Sequence, residues 1–134
     1  MRVRYAETDA DGVVYHSNYL IYFEVARVDL LRALGHPVTE VARRGYQLPV
    51  VEARVKYLRP AHLDDLLNVS LGLDSVGPAS FTFDYEVTRE DGLLLATGLT
   101  RLAVCECETG RAVATPPWLR DLPQAMAALA AERS

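Results

Sequence analysis

Lysine is nearly absent from this chain: Lys56 stands alone beside thirteen arginines, and Cys, Met, Asn and Gln occur only twice each. That bias fits a GC-rich coding sequence, and the scarcity of Asn, Gln, Cys and Met is also a trait of thermophile proteins. The two cysteines, Cys105 and Cys107, are two apart on a strand-like run. That spacing is poor for a disulfide, and no second pair is present to complete a zinc site, so both are expected in the core or at an interface. No uninterrupted apolar run reaches the ~18 residues of a membrane span, and the first residues lack the pattern of a signal peptide. A cytoplasmic location with no membrane partner is the expectation. Positive charge is also in deficit, with 14 Lys and Arg against 18 Asp and Glu and a net charge of −4. Phosphate backbones call for a cationic excess, so nucleic acid is excluded as the main partner, and a small anionic ligand would need a local arginine cluster.

What is present is ordinary globular material: half of the 134 residues are hydrophobic and a quarter charged. A chain of this length buries roughly two thirds of its unfolded surface and reads as one domain, residues 1–134. Met1 to Ala6 alternates weakly and predicts a short strand. Asn18 to Leu34 predicts a long helix, with Ser17 or Asn18 as its cap and Gly35 as its stop. Its apolar residues cover most of the circumference, which predicts burial on nearly all sides. Thr39 to Arg43 predicts a second, short helix.

Beyond Gly45 the hydrophobic period changes to two. Val51, Ala53, Val55 and Tyr57 form one series, Leu67, Val69, Leu71 and Leu73 a second, and Phe81, Phe83, Tyr85 and Val87 a third. Each reads as a half-buried strand, and Leu93 to Val104 as another. Gly77-Pro78 and Glu90-Asp91-Gly92 mark tight reversals between antiparallel neighbours. Residues 116–134, Ala-rich and containing Pro123, read as a peripheral helical tail interrupted by that proline. One buried helix with a single antiparallel sheet wrapped around it is an α+β domain.

The chemistry concentrates between Tyr5 and Tyr19, where Asp9, Asp11, Gly12, His16 and Asn18 immediately precede the long helix. A carboxylate in a turn before a helix start lies near free backbone N–H groups and the positive end of the helix dipole. Acyl transfer needs that pairing, a base or nucleophile together with donors for the oxygen that becomes negative. The same residue types also serve as plain turn and capping residues.

The spelling Tyr5-x-x-Thr8-Asp9-x-x-Gly12-Val-Val-Tyr-His16-x-Asn18-Tyr19, followed by Phe23-Glu24-x-Ala26-Arg27, resembles the hotdog-fold acyl-CoA thioesterases of the 4-hydroxybenzoyl-CoA thioesterase and YbgC group. Leu48-Pro49-Val-Val-Glu52 and Tyr57-Leu-Arg59-Pro60-Ala61-x-x-Asp64-Asp65 extend the resemblance to about Cys107. It implies a hotdog fold and a homo-oligomer, a dimer or a tetramer of paired dimers, with active sites at the subunit interface. It also implies an acyl-CoA substrate and neither metal nor organic cofactor.

On this resemblance Asp9 is the catalytic carboxylate, attacking the thioester or activating a water. Tyr5 falls on a catalytic position and would bond Asp9 or the thioester. His16 would position substrate through its ring and polarise the carbonyl through its backbone N–H. Asp11, where relatives have a small neutral residue, would either raise the pKa of Asp9 or face solvent. Glu24 is the rival carboxylate, otherwise expected to pair with Arg27 at i+3. Coenzyme A phosphates would find cations among Arg54, Lys56, Arg59, Arg89 and Arg101. Two other activities share these features. One is an enoyl or hydroxyacyl thioester hydratase-dehydratase using Asp11-x4-His16, although the accompanying Asn-Pro is missing. The other is a non-catalytic acyl-CoA-binding protein. The aromatic and bulky residues Tyr15, Tyr19, Ile21, Tyr22 and Phe23 near the carboxylate predict a short acyl pocket.

Overall fold

The alternating runs form a four-stranded antiparallel sheet in the computed structural model, which describes residues 1–133 and leaves Ser134, the end of the expected tail, outside. The strands are β1 (Tyr46–Gln47), β2 (Val50–Tyr57), β3 (Leu67–Val76), β4 (Ser80–Arg89), β5 (Leu94–Ala103) and β6 (Cys105–Glu106). The helices are α1 (Asn18–Ala33), α2 (Val38–Arg43), α3 (Pro117–Arg120) and α4 (Leu122–Arg133). The main sheet runs β2-β5-β4-β3, and β1 and β6 pair separately. The expected hairpins are present, with Leu71 opposite Tyr85 and Phe83 opposite Thr100. Phe81, Phe83, Tyr85 and Val87 of β4 are buried while Asp84 and Glu86 are exposed, as a period of two demands.

Helix α1 lies on this apolar face. Its buried stripe is Tyr19, Tyr22, Phe23, Arg27 and Leu31, steps of three and four residues that keep one face of the helix against the sheet. The Phe23 ring stacks on Tyr85 with centroids 4.3 Å apart and planes 12° from parallel. Gly98 of β5 makes this seat possible, because a Cβ there would fall 2.3 Å from Phe23 Cε2 and 3.0 Å from the Arg54 carbonyl oxygen. Each large side chain buried here contributes about 1.5–3 kcal/mol.

Three expectations change. The first segment is not a strand: Arg2 bridges Leu66, and the chain then winds into a 3-10 turn at Tyr5–Glu7, closed when Glu7 accepts the Arg4 N–H at 2.8 Å. Nor is α1 buried all round, since Leu20, Ile21 and Val25 are 41 %, 50 % and 42 % exposed on the side facing away from the sheet. Strand β2 is an edge strand, so its apolar series stays open too, with Val51 and Tyr57 about half exposed. The helical tail is interrupted as expected, at Asp121 between α3 and α4; Pro123 sits in the first turn of α4, where a missing N–H costs nothing, and Leu119 and Leu122 anchor the tail fully buried. Of the two cysteines, Cys105 lies in the core, one of the two expected places, and Cys107 is exposed in the protomer, where β6 ends at Glu106 before the turn at Gly110.

Candidate active site

The segment between the 3-10 turn and α1 folds back on itself as a small hairpin. Thr8 bridges Val14, the Asp9 N–H donates to the Val13 carbonyl at 2.9 Å, and the Gly12 N–H donates to the Asp9 carbonyl at 3.0 Å. Gly12 occupies φ +76°, a left-handed conformation that suits glycine and lets the chain reverse within four residues. The Asp9 side chain completes the turn, its Oδ1 accepting the N–H groups of Asp11 at 2.9 Å and Val13 at 3.4 Å. Oδ2 accepts no hydrogen bond among the described residues. One oxygen is thus held by backbone and the other is left open on an exposed carboxylate. Asp11, also exposed, has no side-chain partner among the described residues, in keeping with the solvent-facing alternative.

The hairpin is clamped from below. Val14 N–H donates to the Ala61 carbonyl at 2.8 Å, Val13 bridges His62, and Leu63 N–H donates to the Gly12 carbonyl at 3.3 Å. Asp65 caps this segment by accepting the His62 N–H at 2.9 Å. The Arg59-Pro60-Ala61-x-x-Asp64-Asp65 run therefore supports the loop.

At the other end of the hairpin α1 begins without the expected side-chain cap. Ser17 has helical backbone angles and makes no cap bond, while Asn18 Nδ2 donates to the Glu7 carbonyl at 2.9 Å. Asn18 ties the loop to the helix instead of capping it. The His16 and Ser17 N–H groups make no hydrogen bond among the described residues, so the positive end of α1 keeps two free donors. A groove of about 280 Å³ opens beside them between Val14, His16, Tyr19, Tyr57, Leu58, Arg59 and Pro60. Tyr57 spans it, donating its OH to the His16 carbonyl at 2.9 Å and packing edge-on to Tyr19. The His16 ring tilts against Tyr15, with centroids 4.3 Å apart.

Of the predicted residues, Asp9 and His16 lie on this one hairpin. Tyr5 does not touch Asp9; its side chain is 81 % exposed and makes no hydrogen bond among the described residues. Glu24 and Arg27 do not form the expected ion pair. Arg27 belongs to the sheet-facing stripe, buried, and donates to Tyr85 OH at 3.2 Å, which in turn bonds Thr100 Oγ1 at 2.6 Å. Glu24 faces the open side without an ion pair among the described residues. Both line a separate cavity of about 410 Å³ under α2, with Leu31, Val41, Tyr46 and Cys107.

Three of the five candidate cations are neutralised internally, Arg54 and Arg101 by Glu52 and Arg89 by Asp91. Lys56 and Arg59 have no ion pair among the described residues, and Arg59 lines the groove. No three His, Cys, Asp or Glu side chains gather as a metal site would need among the described residues.

Sequence reading passes over Glu7, and it names Tyr22 only as a bulky residue near the pocket and Tyr57 only in a strand series and in the resemblance. Glu7 is 7 % exposed and receives Arg4 N–H, the Arg4 guanidinium and Tyr22 OH. Burial pushes its carboxyl up, and the Arg4 and Tyr22 donors outweigh that to hold it below the ordinary range. Burial, and then the charge of Glu7, raise the Tyr22 phenol, which stays protonated as the donor. The Arg4-x-x-Glu7 spacing of a capped turn was the available signal.

Comparison with known proteins agrees with this geometry. The family model described as the thioesterase-like superfamily matches residues 3–122. The chain is 34 % identical over 117 residues to the acyl-CoA thioesterase YbgC of Haemophilus influenzae, covering 87 % of this chain and 85 % of that one. It is 28 % identical over 127 residues to the 1,4-dihydroxy-2-naphthoyl-CoA hydrolase of Thermosynechococcus vestitus, covering 91 % and 87 %. Among solved structures, a hypothetical protein from Thermus thermophilus superposes with a TM-score of 0.83 at 40 % identity, over 96 % of this chain and 95 % of the other. With the long helix on its antiparallel sheet and the family matched over most of its length, the chain belongs to the thioesterase-like superfamily and is a hotdog-fold thioester hydrolase.

Proposed function

We propose that the enzyme hydrolyses acyl-CoA thioesters to a free acid and coenzyme A, with Asp9 as its base or nucleophile. The observation that carries this reading is the Asp9 carboxylate, fixed through Oδ1 and open at Oδ2, on the hairpin that ends in the free N–H groups of His16 and Ser17. Those donors would take up negative charge on the thioester oxygen as the carbonyl carbon becomes tetrahedral. As a base, Asp9 accepts a proton from the water whose oxygen bonds to that carbon; the C–S bond then breaks and the thiolate of coenzyme A leaves. As a nucleophile, Asp9 bonds to the carbon itself, the C–S bond breaks to release the thiolate, and water then cleaves the resulting anhydride to the free acid and the Asp9 carboxylate. Single-turnover hydrolysis in H₂¹⁸O separates the two: the base route places label in the product acid at once, whereas the nucleophile route, when water opens the anhydride at the Asp9 carbonyl, leaves the label in Asp9 and releases unlabelled acid.

Arg59 is the cation best placed to meet an anionic substrate, because it alone of the candidates both lines the groove and lacks an internal carboxylate. His16 contributes mainly through its backbone. Tyr5 joins the site only if substrate or a second subunit brings a partner to its exposed phenol. The groove walls, Tyr19 and Tyr57, favour short, medium or aryl acyl groups, in line with relatives that act on an aryl-CoA. The open stripe of α1 and the β2 edge support a homo-oligomer, and the two free cysteines support a cytoplasmic location. Neither the hydratase reading nor the silent binder gains an observation of its own: Asp11 and His16 share no hydrogen bond among the described residues.

The test is a panel of acetyl-, hexanoyl-, palmitoyl-, crotonyl- and benzoyl-CoA followed by free thiol and by enoyl absorbance. Thiol release that falls at least ~10²-fold in Asp9→Asn with folding intact is the expected result. Loss of enoyl absorbance without thiol release would overturn it in favour of the hydratase.

A further inference from the structure

We propose that Glu7 is the positioning residue of this site, a buried carboxylate that locks the Asp9 hairpin onto α1. The inference rests on the Asp9 reading above and goes beyond it. Residue 7 is held through both its side chain and its backbone. Its Oε1 accepts the Arg4 N–H at 2.8 Å and the Tyr22 OH at 3.2 Å, and its Oε2 accepts Arg4 Nη2 at 3.0 Å and Nε at 3.3 Å. Its carbonyl oxygen accepts the Tyr15 N–H and Asn18 Nδ2, both at 2.9 Å. The side chain thus reaches the middle of α1 through Tyr22, while the backbone reaches the start of α1 through Asn18 and the returning strand of the hairpin through Tyr15.

From residue 7 the constraint passes directly to the reactive group. Thr8 pairs with Val14 and Asp9 N–H with Val13, so the height of Asp9 above the helix start is set by where Glu7 sits. Tyr22 is 1 % exposed and belongs to the stripe packed on the sheet, which makes it a fixed anchor. A carboxylate suits the task because all four donors point at acceptor-only oxygens. In Glu7→Gln one oxygen becomes an NH₂ that must face a donor of Arg4 or Tyr22, so at least one bond is lost at nearly unchanged volume. Glu7→Asp keeps the charge for Arg4 but is a methylene too short to hold Tyr22 as well. Positions 7 and 9 therefore divide the work: one carboxylate fixes the frame, the other meets the substrate.

A purely structural role for Glu7 would lower the melting temperature and leave turnover intact below it. A positioning role lowers kcat with KM little changed, because misplacement by about 1 Å costs on the order of 10²-fold. The experiment measures kcat, KM, circular dichroism and melting temperature for Glu7→Gln, Glu7→Asp, Tyr22→Phe, Asp9→Asn and the double variant Asp9→Asn/Glu7→Gln, at a temperature where all are folded. Leu122→Ala serves as a destabilised control far from the hairpin. Expected are a drop in kcat of roughly 10–100-fold for Glu7→Gln, partial recovery in Glu7→Asp, and a smaller loss in Tyr22→Phe. Leu122→Ala should keep wild-type kcat despite its lower melting temperature. The decisive arm is the double variant: with Asp9 already gone, Glu7→Gln should cost nothing further. If the two losses multiply, or if Glu7→Gln and Tyr22→Phe keep wild-type kcat while Asp9→Asn is dead, the positioning role is overturned and the Asp9 reading stands. An active Asp9→Asn overturns both. Should Glu7→Gln fail to fold, Tyr22→Phe and Glu7→Asp decide alone, wild-type kcat in both refuting the proposal.

Discussion

Both sides of the first half of α1 carry bulky apolar residues, and they differ in what they touch. Tyr19, Tyr22, Phe23 and Leu31 lie within the sheet-facing core, while Leu20, Ile21 and Val25, interleaved with them, stand open to solvent together with Glu24. The β2 edge repeats the contrast, since Val51 and Tyr57 match the strands of the core in type and are about half exposed. Hydrophobicity alone therefore records the sum of two demands, a core within the chain and a surface meant for something else. The two can be pulled apart by substitution.

The largest effect is expected on the closed side. Phe23→Ala removes the ring stacked on Tyr85 and should cost about 3–5 kcal/mol by urea denaturation. A cost below 1 kcal/mol would show that the stack contributes little. On the open side Ile21→Glu should leave the melting temperature nearly unchanged. It should also shift the mass seen by light scattering at micromolar concentration from dimer or tetramer towards monomer, if this face joins copies of the chain. A wild-type chain that runs as an active monomer would remove the reason for the open stripe. A chain-length series of saturated acyl-CoAs tests the groove: kcat/KM should level off before sixteen carbons, each fitting methylene adding ~1–3 kcal/mol, and a steady rise to palmitoyl would refute the short pocket. The smallest effect is expected for Glu24→Gln, which leaves no broken ion pair behind in the protomer and should change kcat by less than about 3-fold.

How much of this was legible in the sequence depends on how local each cause is. The long strands and α1 announce themselves because a period of two or 3.6 is imposed by backbone geometry within a few residues. The first strand was misread because a single contact, Arg4 with Glu7, winds the chain into a 3-10 turn that weak alternation cannot foresee. The Glu24–Arg27 pair failed for a related reason. Helical spacing brings positions i and i+3 near each other, but the sheet, invisible from that window, draws Arg27 to Tyr85 and leaves Glu24 outside. At the site, Asp9 and Gly12 are recognisable because a turn followed by a helix is a local arrangement. Glu7 is not, since its meaning depends on Tyr22, which meets it only after α1 has docked.

The seat of Phe23 on Gly98 also ties together two positions far apart in the chain. Alanine at 98 would drive its methyl into a ring with no room to retreat, so Gly98→Ala and Phe23→Leu are each harmful singly for opposite reasons, one overfilling and the other hollowing the same space. Combined, each relieves the other, and recovery stays incomplete because the Arg54 carbonyl still presses at 3.0 Å. The route from this core to a differently packed one thus crosses a valley of poorer intermediates, and the two residues can be exchanged only as a pair.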